Sequence, residues 1–290
     1  MTTSQLKGVI AAVPTPVDGD GIPLIEAFLD HGRWVLDNGG DGLNVLGSTG
    51  EANSLSVRHR RAVMKAAAEN LPAERLMVGT GTPDLETTVE LTRFAHGAGF
   101  AVALVLPPYY YKPVSDDGRF AWFERLLHHT RDVPVPVYLY NYPQMTGITF
   151  SRSLAERLFR HSGGRIAGMK DSSGDLDYAA DMATIEGFDV FPSNEVALAR
   201  CEADGYAGCI SATVNVDPAS SAALYRDNGD AAVLERVRHI RQTVASFPLV
   251  PAVKYLAARR MGDESLAHPL PPFLPLTRAQ QDTIVAQLEG

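Results

Sequence analysis

The chain has 290 residues, 26 Lys plus Arg against 34 Asp plus Glu for a net charge of −8, and 45% hydrophobic residues. That is an ordinary globular composition, long enough for one large α/β domain or two smaller ones. An acidic balance, with an isoelectric point near 5.5, excludes the basic surface that nucleic acid or an anionic membrane demands, so neither is expected as a partner. Two cysteines, Cys201 and Cys209, are too few for a disulfide framework and wrongly spaced for a zinc site, and a reducing cytoplasm is the expected location. The apolar run near the N-terminus is too short for a signal-peptide core or a bilayer span.

Along the chain, short runs rich in Val, Ile and Leu alternate with longer segments of helical spacing. The spacing predicts strands at 9–13, 42–46, 76–78, 101–106, 135–140, 166–169, 190–191 and 208–210. Helices are predicted between them at 24–38, 56–70, 84–96, 119–130, 151–161, 175–186 and 195–202. The strand runs are nearly continuous in their apolar character, as strands covered on both faces must be. About eight strand-to-helix exchanges in ~220 residues read as a (β/α)₈ TIM barrel over 1–224. From 225 to 290 only helical patterns follow, at 231–247, 251–261 and 277–288, with the connector HPLPPFLPL before the last. These predict a helical extension packed on the barrel. A pair of doubly wound domains would need a GxGxxG fingerprint, and GTGTPD at 79–84 is too weak to serve.

In a barrel, reactive groups come from the C-terminal strand ends and the loops that follow. Those ends carry GSTGE (47–51), PPYYYKP (107–113), YNYPQMTG (140–147) and KDSSG (170–174). Of the five lysines, Lys7, Lys65, Lys112, Lys170 and Lys254, Lys170 alone ends an apolar strand. A lysine desolvated in a barrel mouth has a lowered pKa and a free amine able to attack a carbonyl. A structural ion pair would place a lysine there equally well. GSTGE has small residues and hydroxyls suited to a carboxylate or phosphate, or it is a glycine turn with a helix cap. Tyr140 is either a buried aromatic or a proton-relay phenol. His128 and His129 are read as a solvated helix face, and Arg58, Arg60 and Arg61 as surface.

The ordered set TPV (15–17), GSTGE, PPYYYKP, YNYPQMTG, GMKDSSG (168–174), GCISATVNV (208–216) and PAVKYL (251–256) resembles the dihydrodipicolinate synthase and N-acetylneuraminate lyase family of class I pyruvate aldolases. The likeness extends over nearly the whole chain. The resemblance implies that Lys170 forms a Schiff base with the keto carbon of pyruvate or another 2-oxo acid, with no cofactor beyond that covalent imine, and that an aldehyde is the second substrate. It implies that Tyr140 shuttles protons and that Ser48 and Thr49, on the loop opened by Gly47, hold the carboxylate. Ser48 would link Tyr140 to Tyr110, a tyrosine that family members often borrow from a neighbouring subunit, and Ile210 would offer its carbonyl to the pyruvyl end. A homotetramer built from tight dimers is implied as well.

Two departures bear on the substrate. The family's synthases usually carry an arginine where Met145 stands, and that arginine helps bind the carboxylate of aspartate semialdehyde; methionine has no donor for it. Ser193, in PSNE, occupies a place where many synthases have glycine. Both belong to the expected substrate-binding positions. The YNYP and YYYK forms look more like 2-keto-3-deoxygluconate-type aldolases. The expected function is therefore a lyase cleaving a 2-keto-3-deoxy sugar acid to pyruvate and an aldehyde. Alternatives are a dihydrodipicolinate synthase with another carboxylate anchor, a sugar-acid dehydratase using the same imine, and a non-catalytic 2-oxo-acid binder.

Overall fold

Eight short strands, β1 (Gly8–Ala12), β2 (Gly42–Val45), β3 (Leu76–Gly79), β4 (Val102–Val105), β5 (Val137–Asn141), β6 (Ile166–Asp171), β7 (Asp189–Pro192) and β8 (Gly208–Ser211), form one parallel sheet in the computed structural model, which describes residues 6–289. From β1 to β7 each strand pairs with the next in sequence, and β8 returns to pair with β1. The Ala207 N–H donates to Val190 O across 2.9 Å, drawing β8 toward β7 and nearly closing the ring. This is the expected TIM barrel. Inward-facing Ile10, Met77, Leu104, Tyr138, Phe191 and Ile210 fill its interior, so the strands are apolar on both faces because both faces are buried.

Helices α1 (Ile25–Asp37), α2 (Val57–Asn70), α3 (Leu85–Gly97) and α4 (Asp116–His129) cover the first half of the barrel. The one-turn α5 (Pro143–Thr146), then α6 (Arg152–His161), α7 (Leu176–Ala183), α8 (Cys201–Asp204) and α9 (Pro218–Arg226) follow. Ser56, Asp84, Ser115, Ser151 and Asp175 cap five of these helices, each side chain accepting from a backbone N–H of the first turn. Beyond them, α10 (Ala231–Ala245), α11 (Leu249–Met261) and α12 (Arg278–Glu289) pack together around Val244, Val253 and Ile284. No helix among the described residues is long and apolar enough to cross a membrane.

Most predicted boundaries shift by one to three residues, and some elements differ in kind. Segment 195–202 is not one helix but a 3₁₀ turn, Glu195–Arg200, running into α8. Helices α5 and α9 have no counterpart in the sequence reading. Strand β6 extends to Asp171, so Lys170 lies inside a strand rather than just after one. Arg60 is not on the surface: it is 3% exposed and its Nη2 donates to Gly79 O at 2.9 Å, at the end of β3.

Candidate active site

Lys170 and Tyr140 are direct partners in the β5–β6 register, as are Asn141 and Asp171 one residue on. Asn141 Nδ2 donates to Asp171 Oδ1 (2.7 Å), Ser173 Oγ donates to Asp171 Oδ2 (2.7 Å), and Asn141 Oδ1 accepts from the Phe150 N–H (3.1 Å). This buried clasp faces outward and fixes the two strand ends, while the alternation of the pleat turns Tyr140 and Lys170 inward. Beneath them, a Cβ at Gly168 would stand 2.4 Å from Asp189 O and 3.1 Å from Tyr138 Cε1. Only glycine fits above the tyrosine that fills the barrel under Lys170.

The Lys170 ammonium nitrogen lies 4.6 Å from the centre of the Tyr140 ring, and the residue is 3% exposed. Burial, aided by the positive charge of Arg241, lowers its pKa from 10.5 to about 7. The other four lysines are engaged elsewhere: Lys7 with Asp189, Lys65 with Glu69, Lys112 with Thr146 O, and Lys254 with Glu51. Among the described residues Lys170 forms no ion pair. The structural alternative for a lysine at this place is realised by Lys254, not Lys170.

Tyr140 is buried, stacked on Tyr142 with ring centres 5.7 Å apart, and its hydroxyl lies 3.1 Å from Ser48 Oγ. Burial raises its pKa, against hydrogen bonding from Ser48 and Ser172. The loop that brings Ser48 here is sharply bent. Leu46 and Glu51 are left-handed at φ 54° and 52°, a conformation costing a non-glycine residue roughly 1–2 kcal/mol each. Between them, the N–H groups of Ser48 and Thr49 donate to no group of the described chain. Gly47 also lines the cavity, and a Cβ on it would meet Asn44 Oδ1 at 2.6 Å. Two open amides and two hydroxyls at one strand end make a cradle for a carboxylate.

Glu51 ends this loop in a buried ion pair with Lys254 of α11, and its Oε1 accepts from the Leu270 N–H at 2.6 Å. Lys254 Nζ also donates to His268 O at 2.8 Å. The bend is thus held from the C-terminal helices, a pairing of residues far apart in sequence that inspection of either motif does not reveal.

A cavity of about 320 Å³ opens at this end of the barrel, a size typical of small-molecule sites. Ser193 and Ile210 line it from β7 and β8, and Met145, 62% exposed, from α5. Tyr110 does not line it: at 73% exposed it points away and sits edge-on to Tyr111, while Tyr109 takes the place on the wall. Among the described residues, the hydroxyl contact of Tyr140 with Ser48 therefore does not continue to Tyr110 within one chain. Arg241, absent from the sequence reading, also lines the cavity. It stands four residues after Val237 and three before Val244, on the buried stripe of α10, and that cation on an apolar stripe was the available signal. No three His, Cys, Asp or Glu side chains among the described residues are grouped to hold a metal ion.

A family model described as the dihydrodipicolinate synthetase family matches residues 5–290. The chain is 32% identical to a 4-hydroxy-tetrahydrodipicolinate synthase of Rhodospirillum centenum, covering 98% of each chain. Among solved structures it is similar to a dihydrodipicolinate synthase from Agrobacterium tumefaciens (TM-score 0.91, 29% identity, 97% of this chain and 98% of that one). It is also similar to a prophage protein of the dihydrodipicolinic acid synthase family from E. coli K12, solved in complex with pyruvate (TM-score 0.89, 27% identity, 98% of each). With the barrel and the buried lysine described above, these matches place the chain in the dihydrodipicolinate synthetase family of pyruvate-dependent class I lyases, which work through a covalent lysine–pyruvate Schiff base.

Proposed function

We propose that this protein is an aldolase whose Schiff base forms on Lys170 and which cleaves a 2-keto-3-deoxy sugar acid to pyruvate and a hydroxyaldehyde. The observation that carries this reading is a buried lysine, without an ion pair among the described residues and with pKa about 7, over the ring of a tyrosine that is hydrogen-bonded to the carboxylate-cradle loop. The Lys170 amine attacks the keto carbon; water leaves and an iminium forms. The proton of the C4 hydroxyl passes to the relay at Tyr140, the C3–C4 bond breaks, and its electron pair moves into the iminium to give an enamine while the aldehyde departs. The enamine takes a proton at C3, and hydrolysis releases pyruvate and the free lysine. Ser48 gives Tyr140 a route for that proton, which a phenol of raised pKa needs near neutral pH.

Met145 supports the sugar-acid reading over the synthase, because a thioether offers aspartate semialdehyde no donor. We also infer a cytoplasmic homotetramer of tight dimers, in which a partner covers the exposed pair Tyr110 and Tyr111 and returns a tyrosine to the relay. The test is borohydride reduction in the presence of pyruvate, followed by peptide mass spectrometry. A reduced adduct on Lys170 is expected; an adduct on another lysine, or none, overturns the assignment.

A further inference from the structure

One charged group on the cavity wall, whose positive charge helps lower the Lys170 pKa, has donors that this chemistry leaves unused. Arg241 reaches the cavity from α10 with its side chain 25% exposed. Its Nη1 donates to Ser211 Oγ at 3.0 Å and Thr213 Oγ1 at 3.4 Å, and stands 3.6 Å from Glu195 Oε2. The Thr213 hydroxyl donates to the other Glu195 oxygen. The guanidinium is therefore fixed through a single nitrogen. Among the described residues its Nε and Nη2 make no hydrogen bond.

An arginine serving only to neutralise Glu195 would turn its two-pronged edge to that carboxylate. Here it does not, and Glu195 Oε2 has no hydrogen-bond partner. Unspent donors in a planar fork suit a second acid group, which such a fork binds bidentately. The placement agrees. With the first carboxylate on the β2 loop and the keto carbon on β6 across the mouth, stacked Tyr140 and Tyr142 wall off one side. The open side is the β7–β8 arc, where Ser193 and Arg241 stand.

We propose that Arg241 binds a second acidic group at the far end of the substrate, so that the aldehyde released with pyruvate bears a terminal carboxylate or phosphate. This rests on the Lys170 imine and narrows the sugar acid it acts on. Aspartate semialdehyde also carries a carboxylate, but its ammonium, on the adjacent carbon, would meet a like charge at Arg241. A hydroxyl at that carbon meets none.

The test compares kcat/KM for condensation of pyruvate with three aldehydes differing only in the terminus: glyceraldehyde, tartronate semialdehyde and glyceraldehyde 3-phosphate. The wild type is expected to favour one of the acidic aldehydes over glyceraldehyde by about tenfold or more, and the favoured one tells carboxylate from phosphate. In Arg241→Gln the acid-to-neutral ratio should fall by about tenfold or more. Arg241→Lys, which keeps the charge but loses the fork, should give an intermediate ratio, and it carries the test if the glutamine variant does not fold. A wild-type ratio near one, or a ratio unmoved by both substitutions, overturns the proposal. Borohydride trapping with pyruvate alone is run alongside. Trapping with no acid preference removes Arg241's role and keeps the imine; an Arg241-dependent preference without trapping does the reverse.

Discussion

Lys170 and Tyr140 face each other across the β5–β6 ladder, with the amine 4.6 Å from the ring centre. The aromatic face and the dry interior act in opposite senses on the ammonium, and burial dominates, leaving a pKa of about 7. Below that value the amine is protonated and cannot attack a carbonyl. The rate of adduct formation with pyruvate should thus fall roughly tenfold per pH unit below pH 7 and level off above it. Stopped-flow or quenched borohydride trapping across pH 5–9 measures this. Lys170→Arg should abolish trapping at every pH, because guanidinium stays protonated.

Tyr140→Phe removes the phenol and keeps the ring against Lys170. Turnover is expected to drop by about 10²-fold or more, while pyruvate trapping survives. Ser48→Ala, which interrupts the relay one group further out, should cost less. Turnover unchanged in the phenylalanine variant would remove Tyr140 from proton transfer.

Lys254→Met leaves the Glu51 carboxylate buried without its partner. Breaking a buried pair from one side costs about 3–5 kcal/mol, to be read as a lowered urea midpoint. The double variant Glu51→Gln, Lys254→Met should recover much of that stability. Its KM for pyruvate should still rise, since the bend at 46–51 loses its anchor.

Met145→Arg places a two-pronged donor at the cavity rim where the wild type has a thioether. The ratio of kcat/KM for aspartate semialdehyde over glyceraldehyde should rise, by about tenfold if the pair forms bidentately. A wild type that already prefers the semialdehyde, with no response to the substitution, restores the synthase reading.

Because the iminium is the electron sink, aldol activity should persist after exhaustive treatment with a chelator. Activity lost to chelation and restored by a divalent cation would point to a metal-dependent mechanism instead.

What could be read in the sequence was what depends on local pattern. Strands covered on both faces must be apolar throughout, so the barrel's alternation was visible. A lysine closing such a run cannot be solvated, so Lys170 stood out. Helix α9 was not visible because it packs through small residues: a Cβ at Gly39 would meet Ala222 Cβ at 2.9 Å, and ASSAALYR has no wide apolar stripe to betray a helix. The Glu51–Lys254 pair joins residues 203 positions apart, and neither GSTGE nor PAVKYL names its partner. Arg60 looked like surface among three arginines, because only the folded chain shows that the end of β3 offers it the Gly79 carbonyl. Tyr110 was placed on the family's pattern, and within a single chain it stands exposed and off the cavity wall.

The clasp between Glu51 and Lys254 divides the labour of the polypeptide unevenly. The groups proposed to make and break the imine, Lys170, Tyr140 and Ser48, lie before residue 212, yet the loop that carries Ser48 is held from α11, and the cation on the β7–β8 side of the cavity comes from α10. Truncation after β8 would keep the reactive groups and lose the geometry that lets them discriminate. If Arg241 reads the far end of the substrate as proposed, substitutions on α10 would change which aldehyde is accepted while Lys170, Tyr140 and Ser48 stay in place.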